Sequence, residues 1–293
     1  MKKVLMTGIS GFTGQHLAAR LTQAGYQVMG LTQSEHSLPW RTVCCDLANR
    51  DLLIQLVKEE QPDYMVHLAA ISFVAHGDPR DMYLCNLLGS RHFLEAASKV
   101  NPTAVLFASS ANIYGNAEAD FITEQQVAAP ANDYAVSKIA SEYLVPLFPQ
   151  VPVTLVRPFN YTGPGQDLKF LLPKIVSHFK QRAPVIELGN IDVERDFSDV
   201  RMVVESYQKL LEQPAPGQTF NVCSGRGYTL RQVIELMTDI TGHPIEVRVN
   251  PAFVRANEVK RLVGSPEKLR QWIGEPSHYE LRETLQWMLG ELQ

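Results

Sequence analysis

Residues 7–14 read Thr7-Gly8-Ile9-Ser10-Gly11-Phe12-Thr13-Gly14 and join a short β-rich run, Lys3 to Met6, to a helical pattern, Gln15 to Ala24. In that pattern Leu17 and Leu21 lie one turn apart and Gly25 offers a natural stop. Glycine at a strand-to-helix turn permits unusual backbone angles and close approach of a pyrophosphate. The helix N-terminus adds unpaired N–H groups and the positive end of its dipole. The spacing is G-x-x-G-x-x-G rather than G-x-G-x-x-G, and with 18 glycines in the chain the triplet alone is weak. Its position between this strand and this helix carries the reading of a dinucleotide-binding turn, with Gly8, Gly11, Phe12, Thr13 and Gly14 as expected contacts.

Outward from the turn, β-rich runs alternate with helical stretches. Further strands are expected at Tyr26 to Leu31, Thr42 to Cys45, Tyr64 to Leu68, Ala104 to Ala108 and Val153 to Val156. Most are continuous apolar runs, as strands covered on both faces require, so the pattern predicts an α/β fold with a doubly wound parallel Rossmann sheet. After about Arg157 the texture changes, with Pro158, Gly163, Pro164, Gly165, Pro173 and Pro184 breaking the chain into short segments. Strands at Val185 to Leu188 and Phe220 to Cys223 and a helix at Leu230 to Thr241 are expected there. The predicted division is a dinucleotide-binding domain, 1–158, and a smaller α/β lobe, 159–293, mainly for substrate, with one strand returning to the first sheet.

The chain has 293 residues, about twice the ~150 that serve as a prior for one domain. Hydrophobic residues at 45% and charged residues at 20% exclude a disordered or fibrous class. With 27 basic and 31 acidic side chains, and no basic stripe, nucleic acid is not an expected partner. Cys44, Cys45, Cys85 and Cys223 form no C-x-x-C pair and are expected as buried, reduced thiols, with no metal site. No stretch approaches the ~18 apolar residues of a membrane span, and the first apolar run is too short for a signal peptide, so a cytoplasmic protein is expected.

Two further positions bear on the cofactor. The second strand ends Gly30-Leu31-Thr32-Gln33, where an acidic residue would bind ribose hydroxyls and repel a 2′-phosphate. Its absence admits NADP(H), with Thr32 at the ribose, while the lack of an arginine leaves NAD(H) open. Asp46, followed by Leu47, is placed to accept from the adenine amino group or to cap a helix.

Tyr134 and Lys138 stand four apart, which on a helix puts both on one face. A neighbouring ammonium favours an ionised phenol and would bring its pKa toward the working range for proton transfer. Ser110, in Ser109-Ser110-Ala111-Asn112-Ile113-Tyr114-Gly115, follows the strand Ala104 to Ala108. It would sit at the carboxyl edge of the sheet, where such folds bind ligands and where its hydroxyl could hold a carbonyl oxygen.

With these residues in view, the sequence resembles the extended short-chain dehydrogenase/reductases, a family that includes nucleotide-sugar dehydratases, epimerases and reductases, over essentially its whole length. The turn at 7–14, His67-Leu68-Ala69-Ala70, Asn86-Leu87-Leu88-Gly89, and the segments around Ser110 and Tyr134 resemble its motifs. The resemblance implies a triad of Ser110, Tyr134 and Lys138 and cofactor contacts at Leu68, Ala69, Ala70, Pro158 and Phe159. The second half is similar to the branch acting on GDP-mannose derivatives. That similarity implies a GDP-sugar substrate contacted by Ser72, Ser110, Asn160, Lys174, Asn190, Arg195, Arg255 and Glu258. The dehydratases of the branch carry Thr in place of Ser110 and an acidic neighbour for the elimination, whereas this chain has Ala111 and Asn112. The expected activity is therefore reduction of a 4-keto-6-deoxy GDP-sugar by NADP(H) or NAD(H). A 4-epimerase or 4,6-dehydratase is the nearer alternative and a non-catalytic dinucleotide sensor the distant one. A homodimer through the helices near Asn86 to Lys99 and Tyr134 is also expected.

Overall fold

The computed structural model describes residues 1–73, 78–253 and 259–291. Strand β1 (Lys3–Thr7) leads into α1 (Phe12–Gln23), β2 (Gln27–Thr32) and β3 (Arg41–Cys44). Helix α2 (Arg50–Glu60) precedes β4 (Tyr64–His67). Then α3 (Pro79–Tyr83), a π-helical turn at Leu84–Gly89 and α4 (Ser90–Ala97) form one continuous helical run. β5 (Ala104–Ala108), α5 (Asp133–Glu142) and β6 (Val153–Pro158) follow. Beyond them come β7 (Asn160–Thr162), α6 (Leu171–Lys180), β8 (Val185–Leu188), β9 (Glu194–Asp199), α7 (Val200–Glu212) and β10 (Thr219–Val222). The remaining elements are β11 (Gly227–Thr229), α8 (Leu230–Thr241), β12 (Glu246–Val249), β13 (Arg261–Leu262), α9 (Glu267–Ile273) and α10 (Leu281–Glu291).

Seven parallel strands form the main sheet in the order β10-β6-β5-β4-β1-β2-β3. Every residue of β4 and β5 is buried, which explains the unbroken apolar run of β5 and the apolar Met65 and Val66 of β4. One face packs Val4, Met6 and Leu106 against Leu17 and Leu21 of α1, Val203 and Leu210 of α7 and Leu269 of α9. The other packs Leu5, Met65 and Phe107 against Leu53 and Val57 of α2 and Phe93 and Leu94 of α4. The expected returning strand is β10, beside β6. Helices α7 and α9, also from beyond residue 158, cover the same sheet, so the layer draws on both halves of the chain.

The second half adds a sheet in which β9 pairs with β7, β11 and β13, and a β8–β12 pair. Ile175 and Phe179 of α6, Val233 of α8 and Leu285 of α10 close its core. Cysteine burial departs from expectation at Cys44, which is exposed, while Cys45 and Cys223 are buried and Cys85 is intermediate. β3 is an edge strand and adjacent residues face opposite ways, so Cys44 and Cys45 cannot both pack inward. Among the described residues no helix is long and apolar enough to cross a membrane.

Candidate active site

A cleft of about 1000 Å³ runs along the carboxyl edge of the parallel sheet, across the point where strand order reverses between β1 and β4. Its wall includes the glycine turn, with Gly8, Gly11, Phe12, Thr13 and Gly14. Gly8 has φ +72°, and a Cβ there would stand 2.7 Å from the Ala69 amide nitrogen. A Cβ on Gly14 would collide with the Gly8 carbonyl. Only glycine fits at these two points, because turn, helix and β4 loop meet backbone to backbone. Gly11 is the N-cap of α1 and no side chain caps it, so the first-turn amides stay available to an anion at the cleft. This cradle suits the pyrophosphate of a dinucleotide.

At one end of the cleft lie Thr32, Asp46 and Leu47. Asp46 caps no helix: Asn49 caps α2, while Asp46 Oδ1 accepts from the Ala48 amide at 2.8 Å and Oδ2 from Gln33 Nε2 at 3.3 Å. Leu68, Ala69, Ala70 and Ser72 line the middle, and Pro158, Phe159 and Asn160 join Ser110, Tyr134 and Lys138 at the other end. Lys174, Asn190 and Arg195 are not part of the wall. Lys174 Nζ donates to the Glu187 carbonyl at 2.7 Å, Asn190 Oδ1 accepts from the Asp192 amide at 3.0 Å, and Arg195 donates to the carbonyls of Glu194 and Lys260. Arg255 and Glu258 lie outside the described residues.

Helix α5 begins at Asn132, whose side chain accepts from the Ala135 amide at 2.9 Å, and its first turns bring Tyr134 and Lys138 to the cleft, both buried. Lys138 Nζ donates to the Ala108 carbonyl at 2.5 Å, tying α5 to the end of β5. Burial lowers the Lys138 ammonium to about 8, with Cys85 and Glu142 opposing. Burial raises the Tyr134 phenol to about 12, with a hydrogen bond from Ser110 pulling the other way and Tyr161 adding to the rise. The expected lowering of Tyr134 by Lys138 therefore does not dominate: the ammonium is engaged by Ala108, and desolvation outweighs it. Ser110 Oγ accepts from the Asn112 amide at 3.2 Å and from Asn112 Nδ2 at 3.1 Å, which leaves its proton to donate toward Tyr134 or a ligand oxygen. Among the described residues no cluster of three His, Cys, Asp or Glu side chains could hold a metal ion.

A sequence profile described as GDP-mannose 4,6 dehydratase matches residues 5–288. The chain belongs to that family. Family relatives include the GDP-6-deoxy-D-talose 4-dehydrogenase of Aggregatibacter actinomycetemcomitans, 35% identical over 276 residues that cover 93% of this chain and 91% of the relative. The GDP-6-deoxy-D-mannose reductase of Pseudomonas aeruginosa is 35% identical over 303 residues, covering 99% and 97%. The structure of RMD from Pseudomonas aeruginosa complexed with NADPH superposes with a TM-score of 0.84 at 34% identity, covering 99% of this chain and 98% of that one.

Beneath the cleft the family's His67 and Asn86 motifs form one buried network that sequence reading treated as separate signatures. Thr7 Oγ1 accepts from the Leu68 and Ala69 amides, both at 3.2 Å, and so donates to His67 Nδ1 at 2.8 Å. Ser90 Oγ donates to the Asn86 carbonyl at 2.5 Å and so accepts from His67 Nε2 at 2.9 Å, which fixes the neutral Nε2–H tautomer. Burial, with Lys138 next, lowers His67 to about 3. Asn86 pairs with both backbone groups of Ile71 and donates to Ser137 Oγ at 3.0 Å, which donates to the Tyr134 carbonyl at 2.8 Å. Tyr161, bound through its hydroxyl to Thr13 Oγ1 at 2.6 Å, was also missed. Its signal was its place directly after Asn160, within the run that the resemblance assigns to cofactor and substrate.

Proposed function

We propose that the protein reduces carbon 4 of GDP-4-keto-6-deoxy-D-mannose to give GDP-D-rhamnose, with NADPH or NADH as reductant. The observation that carries this reading is the buried set of Ser110, Tyr134 and Lys138 with Ala111 and Asn112 beside it. When bound, the reduced nicotinamide supplies the hydride. Ser110 donates to the ketone oxygen and stabilises the negative charge that develops there. Tyr134, held in its protonated form, passes its proton to that oxygen, and the Lys138 ammonium stabilises the phenolate left behind. Elimination of water would need another acid/base beside Ser110. Alanine offers none, and the Asn112 amide is engaged on Ser110 Oγ.

Support for the dinucleotide comes from the glycine cradle and the uncapped α1 terminus, and from the NADPH complex of the 34% identical relative. Thr32 and Gln33 supply neither the carboxylate that rejects a 2′-phosphate nor an arginine that selects it, so the two cofactors should differ modestly, in favour of NADPH. The first 158 residues hold mainly the dinucleotide and the remainder mainly the substrate. A second reading, reduction to the 4-epimer GDP-6-deoxy-D-talose, is favoured by the talose dehydrogenase relative.

The test is incubation with a panel of nucleotide 4-keto sugars while NADPH and NADH absorbance are followed. One cofactor oxidised per ketone supports the reductase, and the carbon 4 configuration of the product, read by NMR, separates rhamnose from talose. Interconversion without net cofactor consumption would make the protein an epimerase. Efficient water loss from GDP-mannose with oxidised cofactor would make it a dehydratase.

A further inference from the structure

Two buried hydroxyls in the cleft take no part in the arrangement above. Ser109 Oγ and Tyr207 Oη have no hydrogen-bond partner among the described residues, although Ser109 is 3% exposed and Tyr207 0%. A buried hydroxyl left unpaired is disfavoured, so each such group in a folded protein calls for a partner. Both residues line the dinucleotide cleft.

Their neighbours place them at one end of it. Ser109 directly precedes Ser110, and its amide donates to the Val156 carbonyl at 2.8 Å, which locks its backbone between β5 and β6. Tyr207 comes from α7, in the core that also holds Met6, Ala108 and Val200. A charge on its phenol would be felt at Tyr134 and Tyr161, so it lies at the Tyr134 end. Both belong to the parallel-sheet layer and not to β7, the strand that brings Asn160 to the cleft.

We propose that Ser109 and Tyr207 bind the carboxamide of the nicotinamide ring. The inference rests on the dinucleotide reading of the cleft. The glycine turn meets an anionic pyrophosphate and the Thr32 end an adenosine, which leaves the nicotinamide for the end that holds Tyr134. The one polar substituent on that ring is a primary amide, with an acceptor oxygen and two N–H donors. A phenol donates well and a serine hydroxyl both donates and accepts, so the pair matches both sides of the amide. Held there, the amide fixes the rotation of the ring and with it the face from which hydride leaves.

The experiment compares wild type, Tyr207→Phe and Ser109→Ala by calorimetric binding of NADPH, NADH and ADP-ribose, the last lacking the nicotinamide. Each variant should bind NADPH and NADH about 2- to 10-fold more weakly, the effect of one hydrogen bond, and ADP-ribose as wild type does. Without ligand, Tyr207→Phe should melt no lower than wild type, since it removes an unpaired hydroxyl. Unchanged NADPH affinity, or equal weakening of NADPH and ADP-ribose, overturns the assignment, as does an effect confined to KM for the sugar-nucleotide. A wild-type protein that binds neither NADPH nor NADH overturns the dinucleotide reading itself, whereas normal binding and turnover in both variants overturns this assignment alone.

Discussion

Tyr134 is protonated at neutral pH, as a phenol ordinarily is, and burial, which raises it to about 12, extends that form further into the alkaline range; the protonated form is the one a ketone reduction uses. Tyr134→Phe should lower turnover ~10²- to 10⁴-fold while NADPH affinity is retained, as loss of a general acid predicts. Near-normal turnover would assign the proton to another group. Lys138 gives a second, pH-dependent outcome. Its ammonium, lowered to about 8 from an ordinary 10.5, is lost as pH rises through 8, so turnover should fall above that pH. Stability moves the other way. Between 8 and 10.5 the unfolded chain binds the proton that folded Lys138 has released, so this residue makes the protein more stable as pH rises through that window. Denaturant midpoints at pH 8 and pH 10 for wild type and Lys138→Met check this: the upward contribution should vanish in the variant, and an identical pH response in both would contradict it.

Between α5 and β6 the buried pair Glu142–Arg157 does for the element what Asn112 does for Ser110. Arg157 Nε and Nη2 bind the two Glu142 oxygens at 2.9 and 2.6 Å, and Nη1 donates to Tyr114 Oη at 3.0 Å. With side chains only 8% and 12% exposed, removing one partner strands a buried charge. Glu142→Ala should therefore cost about 3–5 kcal/mol in urea unfolding, and adding Arg157→Met should recover part of the loss. Strictly additive losses would show that the two side chains act independently. This pair was invisible in the sequence because its members belong to different elements, and no periodicity links them. Elements with strong local patterns were legible: β5 and α8 fall on the expected residues Ala104–Ala108 and Leu230–Thr241. The π-helical turn at Leu84–Gly89 was not, since Asn86 in it is held by Ile71 and Ser137, tertiary partners that spacing along one helix cannot reveal. Strands β7, β11 and β13, two or three residues long, are too short to carry a period of two.

At the scale of the molecule the legible part of the site is the part built on the parallel sheet, where Gly8, Ser110 and Tyr134 follow strands or open helices and their chemistry is local. Asn112, which holds Ser110 from two residues away, is local as well, whereas the pairing of Thr7 with His67 beneath the cleft comes from tertiary packing, and Lys174, Asn190 and Arg195, assigned by resemblance, lie off the cleft wall. One large feature of the surface remains. Leu88 (39% exposed) on the π-helical turn, Val136 (38%) and Tyr143 (73%) on and beside α5, and Leu147 (66%) just beyond it are large apolar side chains left to solvent outside the cleft. Asn86 binds Ser137, so the two helical segments that carry them lie side by side. A monomer rarely leaves so much apolar surface in one region, and a two-fold contact between copies would cover it with the same face of another α5 and π-helical turn. The protein should therefore scatter light at twice the 32.8 kDa of one chain at micromolar concentration. Tyr143→Glu combined with Leu147→Glu, which places two like charges on each side of the contact, should bring the mass to that of one chain. Tyr134 and Lys138 point to the cleft rather than to this face, so the variant should still bind NADPH. A wild-type mass of one chain, or a dimer indifferent to both glutamates, would place the contact elsewhere or remove it.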